Sequence, residues 1–268
     1  MEPSVPENFT RLIAALGPWL DQAVIVGGWA HRLYRLHPSA RRPDYRALMT
    51  LDADVALPPT LPPREESIRE RLLACGFQEE FLGDDRPPVT HYHLRGEAAG
   101  FYAEFVTPLV GGPVSRSGAK KTTALVAGVV TQRLRHLELL LLSPWSIDLA
   151  MPGGPARIRV PNPASFLAQK ALTHQKRSQR KCAKDVLYMH DTLDVFSARL
   201  AQLRDEWTNR IAPELPPSST SKVRTAATRL FGGTSDTIRE AARLTVERNL
   251  SPDALRQACR LGFQKIFG

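Results

Sequence analysis

Met49-Thr50-Leu51-Asp52-Ala53-Asp54-Val55-Ala56-Leu57 alternates apolar and polar side chains along its length. Successive side chains point to opposite faces of a strand, so Met49, Leu51, Ala53, Val55 and Leu57 are expected on one face. Thr50, Asp52 and Asp54 fall on the other. Two carboxylates at i and i+2 repel at close range, which makes sense if a divalent cation sits between them. The same alternation also describes an amphipathic strand with a solvated acidic face. Taken alone, the stretch leaves both readings open.

Upstream, Val24-Ile25-Val26-Gly27-Gly28-Trp29-Ala30 reads as an apolar strand running into a glycine pair and then a helical pattern up to Tyr34. Such glycines either let a phosphate approach backbone N–H groups or make a tight strand-to-helix turn. Downstream, Phe101-Tyr102-Ala103-Glu104-Phe105-Val106 carries one acid, Glu104, on the face opposite Phe101, Ala103 and Phe105. On the helix expected after Pro163, Phe166, Leu167, Lys170, Ala171 and His174 share one arc. Lys170 either snorkels out of this apolar stripe or aims a cation into a site beneath it. In either case Lys170→Met is expected to spare the fold, because the stem is kept, and to cost rate only if the cation serves a site. Asp185 edges a later apolar seam that includes Cys182, Val186 and Met189. On one unbroken helix, Lys170 and Asp185 would be about 22 Å apart along the axis. For both to serve one site the chain must fold back between them, near 176–181.

The wider chain sets the class. It has 268 residues, 43% hydrophobic and 24% charged, the composition of a folded protein of a size at which cores divide. The formal net charge is +9, which favours a polyanionic partner. Residues 1–160 carry 18 Lys/Arg against 17 Asp/Glu, whereas residues 161–268 carry 18 against 10. The first part is rich in Gly and Pro, with strands expected at 23–26, 51–57, 91–94, 101–106, 137–142 and 157–160. No Gly or Pro interrupts the chain between Pro163 and Pro213, and further helices are expected at 219–231, 235–248 and 252–267. The expectation is therefore an α+β chain: an α/β domain over 1–160 and a basic helical domain over 161–268.

Other features exclude alternatives. Cys75, Cys182 and Cys259 are scattered, indicating neither a disulfide framework nor a structural zinc site. The acidic, proline-bearing start is no signal peptide, and the longest apolar run, Leu137 to Leu142, is too short to span a bilayer. A soluble, cytoplasmic protein with no membrane partner is expected. Gly112 to Thr122 superficially resembles a P-loop but puts Ala where the lysine belongs, so it reads as a flexible basic loop. His91 and His93 share a strand face without a third ligand and read as exposed hairpin residues. No Gly-x-Ser-x-Gly elbow is present.

Together these pieces resemble the nucleotidyltransferases of the DNA polymerase beta superfamily: Gly27-Gly28 before a helix, Thr50-x-Asp52-x-Asp54 on a strand, and the acidic strand at Glu104. Phe166-Leu-Ala-Gln-Lys170 and Lys184-Asp185-Val-Leu-Tyr188 look further like the AbiEii/MenT branch of toxins from bacterial toxin–antitoxin systems. The resemblance covers about 20–195 and leaves the last 70 or so residues unassigned. Three departures stand out. Gly28 replaces a common Ser, Glu104 replaces the commoner Asp, and a basic loop from His37 to Arg46 lengthens the gap before Asp52.

The resemblance implies a mixed sheet with flanking helices and transfer of an NMP from an NTP, ATP among them, to an acceptor. Asp52, Asp54 and Glu104 would hold Mg²⁺ (or Mn²⁺); Gly27, Gly28, Thr50 and Lys170 would bind the nucleotide. Lys170 would offset charge on the transferring phosphate, and Asp185 would share in that site with Asp52 and Asp54. The branch implies a tRNA 3′ end as acceptor, with Arg177, Arg180 and Lys181 touching RNA, and a neutralising antitoxin as a further partner. Two rivals stand beside it: transfer to a small molecule such as an aminoglycoside, and a catalytically idle member that binds RNA or protein.

Overall fold

The computed structural model describes residues 5–83, 89–94, 100–112, 114, 118, 121–174 and 178–268. The chain divides into two units, one of Met1–Leu33 with Leu48–Pro161 and one of Tyr34–Ala47 with Asn162–Gly268. It is an α+β protein with a mixed sheet and a run of C-terminal helices.

The first unit opens with α1 (Glu7–Leu16), β1 (Val24–Val26), α2 (Gly27–Leu33), β2 (Asp52–Ala56) and α3 (Ile68–Ala74). Strands β3 (Phe77–Leu82), β4 (Val89–Leu94), β5 (Tyr102–Pro108), β6 (Thr123–Val126) and β7 (Val129–Leu134) follow. The short helix α4 (Glu138–Leu141) and the pair β8 (Trp145–Leu149) and β9 (Ala156–Val160) complete it. The main sheet runs β1-β2-β5-β4-β3, and β7 joins β5 and carries β6. β1 is antiparallel to β2, whereas β2 and β5 are parallel. Parallel strands need a crossover, and α3, β3 and β4 lie within it.

Burial follows the alternation. Ala53 and Val55 are buried in β2 while Asp52 and Asp54 are only partly covered, and Ala56, on the acids' face, is buried at the strand's end. One apolar cluster joins Val24, Val26, Ala56, Val106, Leu137 and Leu140. Elsewhere in the unit Phe9 of α1 stacks on Trp29 of α2 at 3.9 Å, with Phe101 edge-on to both. This packing fixes α2, and so the glycine turn before it, against the sheet.

The second unit contains α5 (Pro163–Thr173), α6 (Gln179–Val195), α7 (Leu200–Glu206), α8 (Ser218–Phe231), α9 (Asp236–Arg243) and α10 (Pro252–Phe267). Their starts are signed in the sequence. Asn162 caps α5 and Ser251 caps α10, each followed by Pro at the first helical position, and Ser235 caps α9. Trp207, Phe231, Phe263 and Phe267 form its aromatic core. Gly262 lets α10 approach α6: a Cβ there would lie 2.6 Å from Leu193 Cδ2.

Residues 34–47 belong to this helical unit although they precede β2. Tyr34 packs edge-on to Phe166 and Phe196. Arg41 pairs with Asp194 at 2.5 Å, and Tyr45 donates to the same carboxylate at 2.8 Å. Arg248 pairs with the buried Asp191 at 2.8 Å and lies 3.8 Å over the Tyr45 ring.

Several expectations are corrected. Within 137–142, Glu138–Leu141 form the short helix α4 rather than a strand; a leucine run without β-branched residues favours that choice once Leu139 and Leu140 are both buried. Met49 and Leu51 are 69% and 58% exposed, because the strand begins only at Asp52. The helix expected over 235–248 ends at Arg243, and a separate turn occupies Val246–Arg248. Much of the P-loop-like stretch 112–122 lies outside the described residues. Among the described residues, no helix is long and apolar enough to cross a membrane.

Candidate active site

The glycine turn and the acidic strand meet because of register. Val26 pairs with Asp54 across β1 and β2, and Asp54 pairs with Glu104 across β2 and β5. One line across the sheet therefore runs from the end of β1 through Asp54 to Glu104. Gly27 comes next in the chain, with φ at +64°, a conformation that L side chains rarely adopt. A Cβ there would also collide with Asp54 Oδ2. Glycine is thus required twice, for the backbone turn and for room beside the carboxylate. Gly28 follows as a buried residue of α2.

Asp52 occupies the next same-face position and accepts a hydrogen bond from the Thr50 hydroxyl. It pairs in register with Tyr102. Burial, and then the charges of Asp52, Glu104 and Asp54, push the Tyr102 phenol up to about 12. Glu104 Oε1 lies 2.9 Å from His91 Nε2, with both side chains 19% exposed. The His91 ring stacks on Tyr102 at 4.2 Å with the planes 22° apart. His91 is therefore part of the acidic face, and the expectation of an exposed hairpin residue is corrected for it. His93 is more peripheral, 4.0 Å from the Glu80 carboxylate.

Asp52, Asp54 and Glu104 lie on one face of two adjoining strands. Among the described residues no group of three or more His, Cys, Asp or Glu side chains forms a ready-made metal cage. Mg²⁺ does not require one: it commonly takes one or two carboxylates and fills its other positions with water and substrate phosphates. Asp52 and Asp54 fit that chemistry, with Glu104 held at the margin by His91.

Within the helical unit, Lys170 Nζ donates to Asp185 Oδ1 at 2.6 Å. Their side chains are 7% and 2% exposed. The fold-back that such a pairing requires is present: α5 ends at Thr173 and α6 starts at Gln179. Phe166 and Tyr188 flank the ammonium at 5.5 and 5.4 Å. This burial corrects the expectation that Lys170→Met spares the fold. Losing one partner of a buried pair costs about 3–5 kcal/mol, because the remaining carboxylate loses its cation.

Lys181 is exposed near the start of α6. Arg177 and the Arg180 side chain lie outside the described residues. Sequence reasoning missed Tyr102 and undervalued His91; the available signal was that Tyr102 and Glu104, two residues apart, share a strand face, whereas His91 joins that face only through the register of β4 against β5.

Comparison with curated proteins and with solved structures finds no match. Comparison with family models finds one, described as Nucleotidyltransferase, over residues 7–212. The matched span takes in the acidic strand, Glu104 and the Lys170–Asp185 pair, and it covers well over half of the sequence. The chain belongs to this nucleotidyltransferase family.

Proposed function

We propose that the chain moves an NMP from an NTP to the 3′ end of an RNA such as tRNA, with Mg²⁺ or Mn²⁺ held by Asp52 and Asp54. The observation that carries this is the acidic line on the sheet: Asp54 in register with Glu104, beside Asp52, with Gly27 opening against the Asp54 carboxylate. Like charges on one strand face oppose one another, so the arrangement suits a face completed by a cation. The bound cation would neutralise the triphosphate and acidify the attacking hydroxyl.

The chain's own residues have separate tasks. Gly27 and Gly28 leave backbone room for phosphates next to Asp54. Thr50 fixes the rotamer of Asp52 through its hydroxyl. His91 orients Glu104, the third acid of the face. The resemblance gives Lys170, which donates to Asp185, the task of offsetting charge on the transferring phosphate. The acceptor oxygen bonds to the α-phosphorus, the bond to the β-phosphate oxygen breaks, pyrophosphate leaves with the electron pair, and the hydroxyl proton passes to water.

The RNA acceptor is supported by the excess of 18 Lys/Arg over 10 Asp/Glu in residues 161–268 and by the resemblance to the AbiEii/MenT branch. That resemblance also supports a toxin-like role with a neutralising antitoxin as partner. The test is label transfer from each α-labelled NTP to total RNA, with an aminoglycoside mixture in parallel, in Mg²⁺ and in EDTA. Labelled RNA in Mg²⁺ alone is the expected result. Labelled aminoglycoside with unlabelled RNA would move the acceptor to small molecules, and no transfer to either would remove the activity.

A further inference from the structure

α8 and α10 lie beyond residue 212, where the family match ends, and they pack directly on one another. Between them opens a cavity of about 290 Å³. Arg224 and Thr228 of α8 line it along with Arg260 and Gln264 of α10, over a floor that includes Ala227 and Phe263. The spacing produces this: 224 and 228, like 260 and 264, are one helical turn apart, so each helix presents an arginine and a neutral polar group on one stripe. Both arginines are exposed. Among the described residues neither joins an ion pair, unlike Arg239, which meets Asp236, and Arg248, which meets Asp191. A second cavity, of about 470 Å³, opens along the same helix and is lined by Arg229, His174, Thr234 and Ser235. α8 thus carries an arginine into each of two cavities.

We infer that the α8–α10 groove is a docking surface for the sugar–phosphate backbone of an RNA acceptor, with Arg224 and Arg260 as its phosphate clamps. This rests on the RNA-acceptor reading above and adds where the strand is held. Two unpaired guanidiniums facing one groove suit phosphate, which guanidinium binds through paired N–H donors. Hydroxyl and amide groups beside them suit ribose and phosphate oxygens. The near-absence of carboxylates from both linings matches a polyanion. Backbone contacts position a strand without reading its sequence, so the surface would serve many RNAs and leave the choice of 3′ end to the transfer site.

The experiment is fluorescence anisotropy of labelled unfractionated tRNA with the full chain over a salt series. It compares wild type, Arg224→Ser/Arg260→Ser, and a charge-matched control, Arg11→Ser/Arg157→Ser, in the α/β unit. All three are expected to melt together, since the altered residues are exposed. The groove variant is expected to lose about tenfold in affinity and to flatten the log–log salt slope by about 1.5, while the control changes little. Equal loss in the control would mean net charge alone and overturn the surface. Unchanged binding by the groove variant would overturn the surface and leave the RNA reading standing. A wild type that neither binds tRNA nor labels RNA would remove both. Poly-L-glutamate competing as well as tRNA for wild type would assign the groove to an acidic protein and overturn the RNA assignment.

Discussion

In the helical unit carboxylates stand against basic side chains: Asp185 against Lys170, Asp191 against Arg248, and Asp194 against Arg41. On the sheet, Asp52, Asp54 and Glu104 stand beside one another, with a hydroxyl from Thr50 and an imidazole from His91. The first arrangement ties elements of the helical unit together. Arg41 and Arg248 clasp residues 34–47 to the helices, and the Lys170–Asp185 pair joins α5 to α6. The second sets like charges side by side, which on the function proposed above a bound cation offsets. The difference teaches that the two sets of acids stand in different surroundings: one faces cations of the chain itself, and on the function proposed above the other faces a cation that comes with the substrate.

Substitution should separate them sharply. Asp52→Asn/Asp54→Asn is expected to abolish NMP transfer, by about a thousandfold or more, while melting at the same temperature as wild type or higher. A clear fall in melting temperature would show that the sheet acids serve the fold after all. Next comes the buried pair. Lys170→Met is expected to destabilise by about 3–5 kcal/mol, and adding Asp185→Leu should recover most of that loss, because a packed apolar pair replaces buried charges well. Transfer should stay about a hundredfold down in the double variant, measured in single turnover on folded protein. Recovery of transfer together with melting would make the pair purely structural.

His91 joins the two kinds of behaviour, being a basic group on the acidic face. His91→Ala should reduce transfer by about tenfold and His91→Gln should restore much of it, since the amide can still donate to Glu104. Equal losses in both would point to the stacking on Tyr102 instead. The smallest effect is the titration of Tyr102. A phenol raised from 10 to about 12 binds its proton more tightly in the folded state. Its contribution to stability is full below pH 10 and is lost as pH rises through that window. In Asp52→Asn/Asp54→Asn, tyrosinate absorbance should rise at lower pH than in wild type, with burial still holding the phenol above 10. An identical titration would detach Tyr102 from the carboxylates.

What the sequence made legible was local. Asp52 and Asp54 are readable because a period of two is a property of five consecutive residues, and Gly27 because it interrupts an apolar strand. The fold-back between α5 and α6 followed from helical rise once Lys170 and Asp185 were assigned to one site. The rest depended on distant partners. His91 gains meaning only when β4 lies beside β5, and nothing within β4 announces that register. The basic loop from His37 to Arg46 read as an added length; its partners Asp194 and Arg248 lie 153 and 202 residues further on. β3 escaped notice because four of its six residues are exposed, which erases the alternation. The hairpin of β6 and β7 turns at Ala127 and Gly128, both with positive φ, and Ala is a poor advertisement for such a turn.

The central claim is that the sheet acids are completed by a cation that arrives with the nucleotide. Isothermal calorimetry with a non-hydrolysable NTP analogue tests it most directly, on wild type and on Asp52→Asn/Asp54→Asn, with Mg²⁺ and with EDTA. The account predicts binding for wild type in Mg²⁺, and loss of that binding both in EDTA and in the double variant. Equal affinity in Mg²⁺ and in EDTA, or undiminished binding by the variant, would contradict it.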